Sequence, residues 1–203
     1  MANVALLGAS GNAGARLLKE LVERGHQVTA IARQPERIEA LANVRAVAGD
    51  ANDAAALAEL FKGHDAVISA VPFTGSDAAT LVSAVRDAGV PRYLVVGGAG
   101  SLEVAPGERV VDQPDFPPEY KPEATAGAVF LDYLRGITQP EWTFLSPSAV
   151  FVPGERTGTF RLGKDALLVS EEGSSISFED FAVAMVDELE RPAHPNQRFT
   201  VGY

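Results

Sequence analysis

Short apolar runs rich in β-branched residues recur along the chain, at Val4–Leu7, Val28–Ile31, Val44–Val47, Ala66–Ser69, Tyr93–Val96 and Trp142–Leu145. Most lack strict alternation with polar residues, which marks strands covered on both faces of a parallel sheet. Between them, Ala13–Glu23, Pro35–Ala42, Ala54–Phe61, Asp77–Asp87 and Ala124–Arg135 read as helices. In the first, Leu17, Leu18, Leu21 and Val22 share one face, the stripe that a sheet-packing helix needs. Gly25, Gly63, Gly89 and Gly136 each follow a helical run, where a left-handed residue turns the chain back towards the sheet. Strand, helix, glycine, strand, repeated, predicts stacked right-handed βαβ units: an α/β fold with a doubly wound, mostly parallel sheet.

Beyond Gly97 the rhythm loosens. Gly97–Pro118 is a long stretch rich in glycine, proline and acids, of the kind that serves function or moves. Residues 147–175 read as a small irregular excursion with a hairpin through Gly158–Leu162. Ser177 and Asp180 then form a capping-box variant, followed by Phe178, Phe181, Ala182, Met185, Val186 and Leu189 at helical spacing, which read as core. Arg198–Val201 closes as a last strand. With 203 residues the chain suits a single domain over 1–203, the excursion lying within it.

Composition removes several classes of function. There is no cysteine, which excludes disulfides, thiolate catalysis and Cys-ligated metals. A net charge of -10 argues against nucleic acid or an anionic membrane as partner. The start, Met-Ala-Asn-Val-Ala-Leu-Leu, lacks a basic segment and its apolar run stops at Gly8, so the expectation is a cytoplasmic protein, monomeric or homodimeric. His26, His64 and His194 are scattered, read as surface or turn residues, and no metal site is expected.

One stretch carries chemistry. Gly8-Ala-Ser-Gly-Asn-Ala-Gly14 lies between the first strand and the first helix. Unpaired amides and the positive dipole end of that helix favour an anion. Gly8 permits the tight turn, Gly11 lets a pyrophosphate approach the backbone, and Gly14 lets the helix lie close to the strand. Ser10 and Asn12 offer short polar side chains to phosphate. The second strand ends at Arg33, with Arg37 a turn later. Arginine there fits a ribose 2′-phosphate, so NADP is expected ahead of NAD.

At this point the chain resembles the atypical short-chain dehydrogenase/reductases, and within them the NAD(P)H-binding subgroup of flavin/biliverdin reductases, NADH-flavin reductases and NmrA-like redox sensors. Gly8–Gly14, Arg33, Gly49-Asp50, Ser69-Ala-Val-Pro72, Gly97-Gly-Ala-Gly-Ser101, Trp142–Pro147 and Ile176–Ala182 carry the likeness. It implies a Rossmann fold. It implies too that Asp50 accepts from the adenine amino group, with helix capping as its other reading. Ser69, Ala70, Val71 and Pro72 would line the adenosine side and the cofactor's middle. Gly97 and Gly98 belong to the same motif set on the cofactor side, and Pro147 and Ser148 would lie near the nicotinamide.

The chain departs from the larger family in one respect. Its Tyr-x-x-x-Lys is absent: Tyr120 is followed four places on by Ala124, and Tyr133 by Ile137. In that motif lysine lowers the phenol pKa so that it can pass a proton to a carbonyl oxygen. Ser101, Tyr120 and Lys121 are the substitutes at hand. Hydride transfer between stacked rings needs mainly binding and orientation, so the reading is a reductase passing hydride from NADPH to a flavin, a quinone or a similar planar small molecule. Phe151 and Phe160 would stack on that acceptor, and Arg156 or Arg161 would meet its phosphate. A non-catalytic NADP-binding redox sensor and an epimerase/dehydratase-like enzyme stay open as alternatives.

Overall fold

The computed structural model describes residues 1–203. Its elements in chain order are β1 (Asn3–Leu7), α1 (Asn12–Glu23), β2 (Gln27–Ala32), β3 (Val44–Ala48), α2 (Ala54–Phe61), β4 (Ala66–Ser69), α3 (Ala78–Asp87), β5 (Arg92–Val96), β6 (Glu103–Ala105), β7 (Glu108–Arg109), α4 (Lys121–Arg135), β8 (Glu141–Pro147), β9 (Val150–Val152), β10 (Arg161–Gly163), β11 (Ser175–Ser177), α5 (Phe178–Glu190) and β12 (Gln197–Gly202).

Successive strand residues leave a sheet on opposite faces, and here both faces are covered. Val4 and Leu6 join one apolar cluster with Leu17, Leu18 and Leu21 of α1 and Phe181, Met185 and Val186 of α5. Ala5 and Leu7 point the other way, to Leu57 and Phe61 of α2, Leu81 and Val85 of α3, and Leu131 and Leu134 of α4. Tyr93 and Leu94 of β5, and Phe144 and Leu145 of β8, divide in the same way. That is the physical cause of the unbroken apolar runs in the sequence.

The central sheet has eight strands in the order β10-β12-β8-β5-β4-β1-β2-β3. All neighbours run parallel except β10, which pairs antiparallel with β12. The chain builds outwards from β1 through β2 to β3, then returns to place β4 on the other side of β1. The switch point therefore lies above the carboxyl ends of β1 and β4, where an open α/β sheet leaves a crevice. Leu7 and Ser69 are in register across it, and the Ala70 amide donates to the Leu7 carbonyl at 2.8 Å.

Four local expectations are corrected. Only Pro35–Arg37 is helical, as one 3₁₀ turn, because Ile38 is already extended (φ -82°, ψ 130°) to bury its side chain against the α1 face. Gly25, Gly63 and Gly89 do have positive φ (80°, 78° and 72°), but Gly136 caps α4 at φ -84° with its amide on the Tyr133 carbonyl. Gly158–Leu162 forms no hairpin; Arg161–Gly163 instead extends the main sheet. Ser177 does cap α5, accepting from the Asp180 amide at 2.9 Å, yet Asp180 does not reach back. Its fully buried carboxylate takes the Thr157 hydroxyl, the Gly158 amide and the Tyr203 hydroxyl at 2.6, 2.7 and 2.8 Å. This carboxylate ties the excursion to the core.

One of the three histidines departs from the surface-or-turn reading. His26 is buried: its Nδ1 accepts from the Ala2 amide at 3.1 Å, and its Nε2 lies 3.1 Å from Glu190. His194 stacks on Phe199 at 4.0 Å and bonds to Glu188. No helix is long and apolar enough to cross a membrane.

Candidate active site

The glycine turn sits on the switch point. Gly8 adopts φ +86°, a conformation that L side chains rarely take, and its amide donates to the Ile31 carbonyl at the end of β2 at 2.8 Å. A Cβ there would lie 2.4 Å from the Ala70 carbonyl oxygen. A Cβ on Gly14 would meet the Gly8 carbonyl oxygen at 2.0 Å, so the close approach of α1 to β1 depends on its absence. Gly11, the N-cap of α1, is different. A Cβ on it would find only backbone oxygens, Gly8's at 3.3 Å and Ala70's at 3.9 Å, and would otherwise face solvent.

No side chain caps α1. The amides of Asn12, Ala13 and Gly14 have no acceptor, and the side chains of Ser10 and Asn12 make no hydrogen bond within the protein. A helix N-terminus left in this state, beside a turn stripped of Cβ atoms, fits a dinucleotide pyrophosphate. Arg33 follows β2, exposed and without an ion-pair partner, and Arg37 is exposed with only Gln34 as partner, at 3.3 Å. Both are available to a 2′-phosphate.

The other expected contacts divide. Asp50 is exposed at the end of β3, where its Oδ1 accepts from the amide and side chain of Asn52. It does not cap α2; Asp53 does, accepting from the Ala56 amide. Ala70, Val71 and Pro72 continue the crevice from β4, partly or fully exposed. Ser69 points beneath it, its hydroxyl 2.9 Å from the buried Tyr93 hydroxyl, whose pKa is pushed up by burial. Pro147 and Ser148 end β8 at the crevice, with the Ser148 hydroxyl turned away to donate to the Val201 carbonyl at 3.1 Å.

Next to Pro72, beginning at Phe73, lies a cleft of about 630 Å³. Phe73, Gly97–Gly100, Pro147–Phe151 and the segment running from Val104 to Ala124 line it. The long stretch after Gly97 is thus an ordered wall: β6 and β7 pair as a small hairpin, and a 3₁₀ turn at Val110–Asp112 leads into Gln113, Phe116 and Pro117. Of Ser101, Tyr120 and Lys121, only Tyr120 lines the cleft. Ser101 is buried behind it, and the Arg198 guanidinium donates to the Ser101 hydroxyl at 3.2 Å and to Asp165 at 2.6 Å.

Phe151 lines the cleft while packing its ring on Phe178, with centroids 4.4 Å apart. Phe160 lies instead against the α1 face of the core. Arg156 is bidentate to Glu20 at 2.7 and 2.9 Å, and Arg161 is taken by the Val169 and Tyr203 carbonyls. Neither meets the cleft.

Two residues of the cleft had no place in the sequence reading. Glu123, in the first turn of α4, accepts from the Phe73 amide at 2.6 Å and from the amide and hydroxyl of Thr74 at 2.9 and 2.7 Å. Phe73, fixed in this way, packs between Phe130 and Phe144, with centroids at 5.2 and 5.9 Å, and forms one side of the cleft. Proline before Phe73 was the one local sign of a shaped turn; the partner fifty positions away gave none.

Fold and site together define a Rossmann-type nucleotide-binding protein: a doubly wound sheet with a glycine-lined turn at its switch point and a separate cleft. The chain belongs to the NAD(P)H-binding family, whose model matches residues 8–192. Among solved structures it is similar to a Burkholderia pseudomallei protein named as exported (45% identity, TM-score 0.90, all of both chains covered). It is similar also to a Bacteroides thetaiotaomicron protein provisionally named an epimerase (43%, TM-score 0.94, 99% and 96% covered). A third is a Streptococcus pneumoniae protein provisionally named an NADH-flavin reductase (36%, TM-score 0.84, 100% and 99% covered).

Proposed function

We propose that this protein is an NADPH-dependent reductase whose acceptor is a planar ring, a flavin or a quinone, held in the cleft beyond Pro72. One observation carries the reading: a roomy cleft, walled by Phe73, Phe116 and Phe151, begins one residue beyond Pro72 and contains no Tyr–Lys proton-relay pair. When bound, the nicotinamide would supply a hydride to the acceptor ring, and the single proton that completes the reduction would come from solvent. Quinone and isoalloxazine rings tolerate that arrangement because the reduced ring stabilises its own charge. A simple ketone does not, since its alkoxide needs a positioned acid.

The chain's own groups bind and orient. Gly8, Gly11 and Gly14 with the open end of α1 hold the pyrophosphate, and Arg33 with Arg37 selects the 2′-phosphate. Glu123 fixes Phe73 as one wall, while the β6–β7 hairpin and its following turn exclude water from the other. The relative named an NADH-flavin reductase supports the same reading.

Epimerase chemistry takes support from the name of the Bacteroides relative. It calls for an acid–base pair facing a sugar. The titratable side chains lining this cleft are Asp115, Tyr120 and Glu123, and the last is already occupied by three donors.

The deciding experiment follows nicotinamide absorbance with NADPH or NADH and a panel of riboflavin, FMN and quinones. The reading requires NADPH oxidation that depends on both enzyme and acceptor; a panel with no turnover overturns it.

A further inference from the structure

The cleft and the nucleotide crevice differ sharply in charge. In the crevice, uncapped amides of α1 and two free arginines await phosphate. The cleft has nineteen lining residues, and none is a lysine, arginine or histidine. Its charged side chains are two carboxylates, Asp115 and Glu123. The arginines nearest in sequence to its lining residues are engaged elsewhere: Arg109 by Asp112, Arg156 by Glu20, and Arg161 by two carbonyls. Lys121 directly follows the liner Tyr120 yet does not line the cleft itself. The protein as a whole carries a net charge of -10, so no background field compensates.

Resting on the reductase reading, we infer that the cleft selects acceptors without a phosphate: riboflavin-type flavins and neutral quinones ahead of FMN or FAD. A phosphate brought into this space meets the exposed Asp115 carboxylate with no lining cation to offset it, a repulsion that is strongest at low salt. Neutral rings find suitable partners. Phe73, Phe116 and Phe151 offer apolar surface, and the amides of Gly98, Ala99 and Gly100, which donate to no protein acceptor, face a site that can receive a ring carbonyl oxygen. Amide dipoles satisfy a carbonyl well, but each carries only a fraction of a charge against the full charge of Asp115. Discrimination of this kind comes from a repulsive element as much as from an attractive one.

The test is equilibrium binding of riboflavin and of FMN to the full-length protein saturated with NADP, read by quenching of flavin fluorescence, alongside NADPH oxidation rates with the same two flavins. The expected result is riboflavin binding tighter than FMN by roughly tenfold or more. In Asp115→Lys the ratio of FMN to riboflavin affinity should rise by about tenfold, since one repulsive charge becomes attractive. Equal affinities, tighter FMN, no flavin binding at all, or an unchanged ratio in Asp115→Lys each overturns the inference. The two readings fail separately. Selective riboflavin binding without NADPH oxidation sinks the reductase and keeps the selectivity, whereas equal binding and turnover of both flavins does the reverse.

Discussion

Substituting alanine in turn at Gly11 and Gly14 separates what the turn does for folding from what it does for the nucleotide. At Gly14 the new methyl would stand 2.0 Å from the Gly8 carbonyl oxygen and 3.1 Å from the Ala9 Cα. These are backbone atoms that cannot swing aside, so α1 must move off β1. Relief of such an overlap costs about 3 kcal/mol or more, against a gain of about 1 kcal/mol from alanine's better helix propensity. The net loss of about 2 kcal/mol lowers Tm by roughly 4 to 8 °C in a domain of this size. At Gly11 the methyl meets one carbonyl oxygen at 3.3 Å and is otherwise outside the fold. Stability there should change by less than about 1 kcal/mol, the usual difference between glycine and alanine at an N-cap. The methyl nevertheless occupies the space through which the pyrophosphate approaches α1. NADPH affinity should therefore fall by about ten- to a hundredfold, roughly 1.4 to 2.8 kcal/mol. Thermal denaturation and NADPH titration of both variants supply the two readouts. If Gly11→Ala binds NADPH within about twofold of the parent, the placement of the pyrophosphate on this turn is wrong.

Two further outcomes follow from charged groups. Arg33→Ala should weaken NADPH about tenfold or more and leave NADH affinity almost unchanged, because only the 2′-phosphate loses a partner; parallel loss of both cofactors would refute the assignment. Glu20, a buried residue of α1, is held below the ordinary carboxylate range chiefly by its hydrogen bonds from Arg156, with Arg24 adding to the effect and burial opposing it. The unfolded chain therefore takes up this proton first as pH falls. The stabilisation is fully present above about pH 4.3 and is lost as pH drops through the lower folded value. Glu20→Gln should accordingly be the less stable protein at pH 7, with the gap closing in acid; urea denaturation across pH 3 to 7 shows it, and a constant gap would count against the pairing.

The parts of this molecule that could be read in its sequence are those set by neighbours along the chain. Strand and helix periods at Val4–Leu7 or Ala54–Phe61 record which faces are covered, and the spacing of Gly8, Gly11 and Gly14 records close approaches within one turn. Pro35–Ala42 read as a helix, but Ile38 is extended and joins the core, with Leu41 packed against it. Gly136 followed a helix as Gly25 does, yet the chain leaves α4 without reversing its handedness. The walls of the cleft were illegible for a different reason. Glu123 acts on Phe73 from 50 positions away and Arg198 on Ser101 from 97, and carboxylate and guanidinium look alike in sequence whether solvated or committed. Asp180 shows the same blindness: its spacing from Ser177 suggested a cap, while its burial made it an anchor for Thr157 and Tyr203.

The corner at Gly8 leans on Ala70 and Val71, and the strand of chain leading from those residues is gripped at Phe73 by Glu123. Anyone who exchanges α4 with a relative's segment, intending only to reshape what enters the cleft, also disturbs the seat of the dinucleotide. A chimera that keeps glutamate at position 123 preserves that seat. One that omits it releases Phe73 and Thr74 from their shared carboxylate, loosening the chain between the Gly8 corner and the cleft.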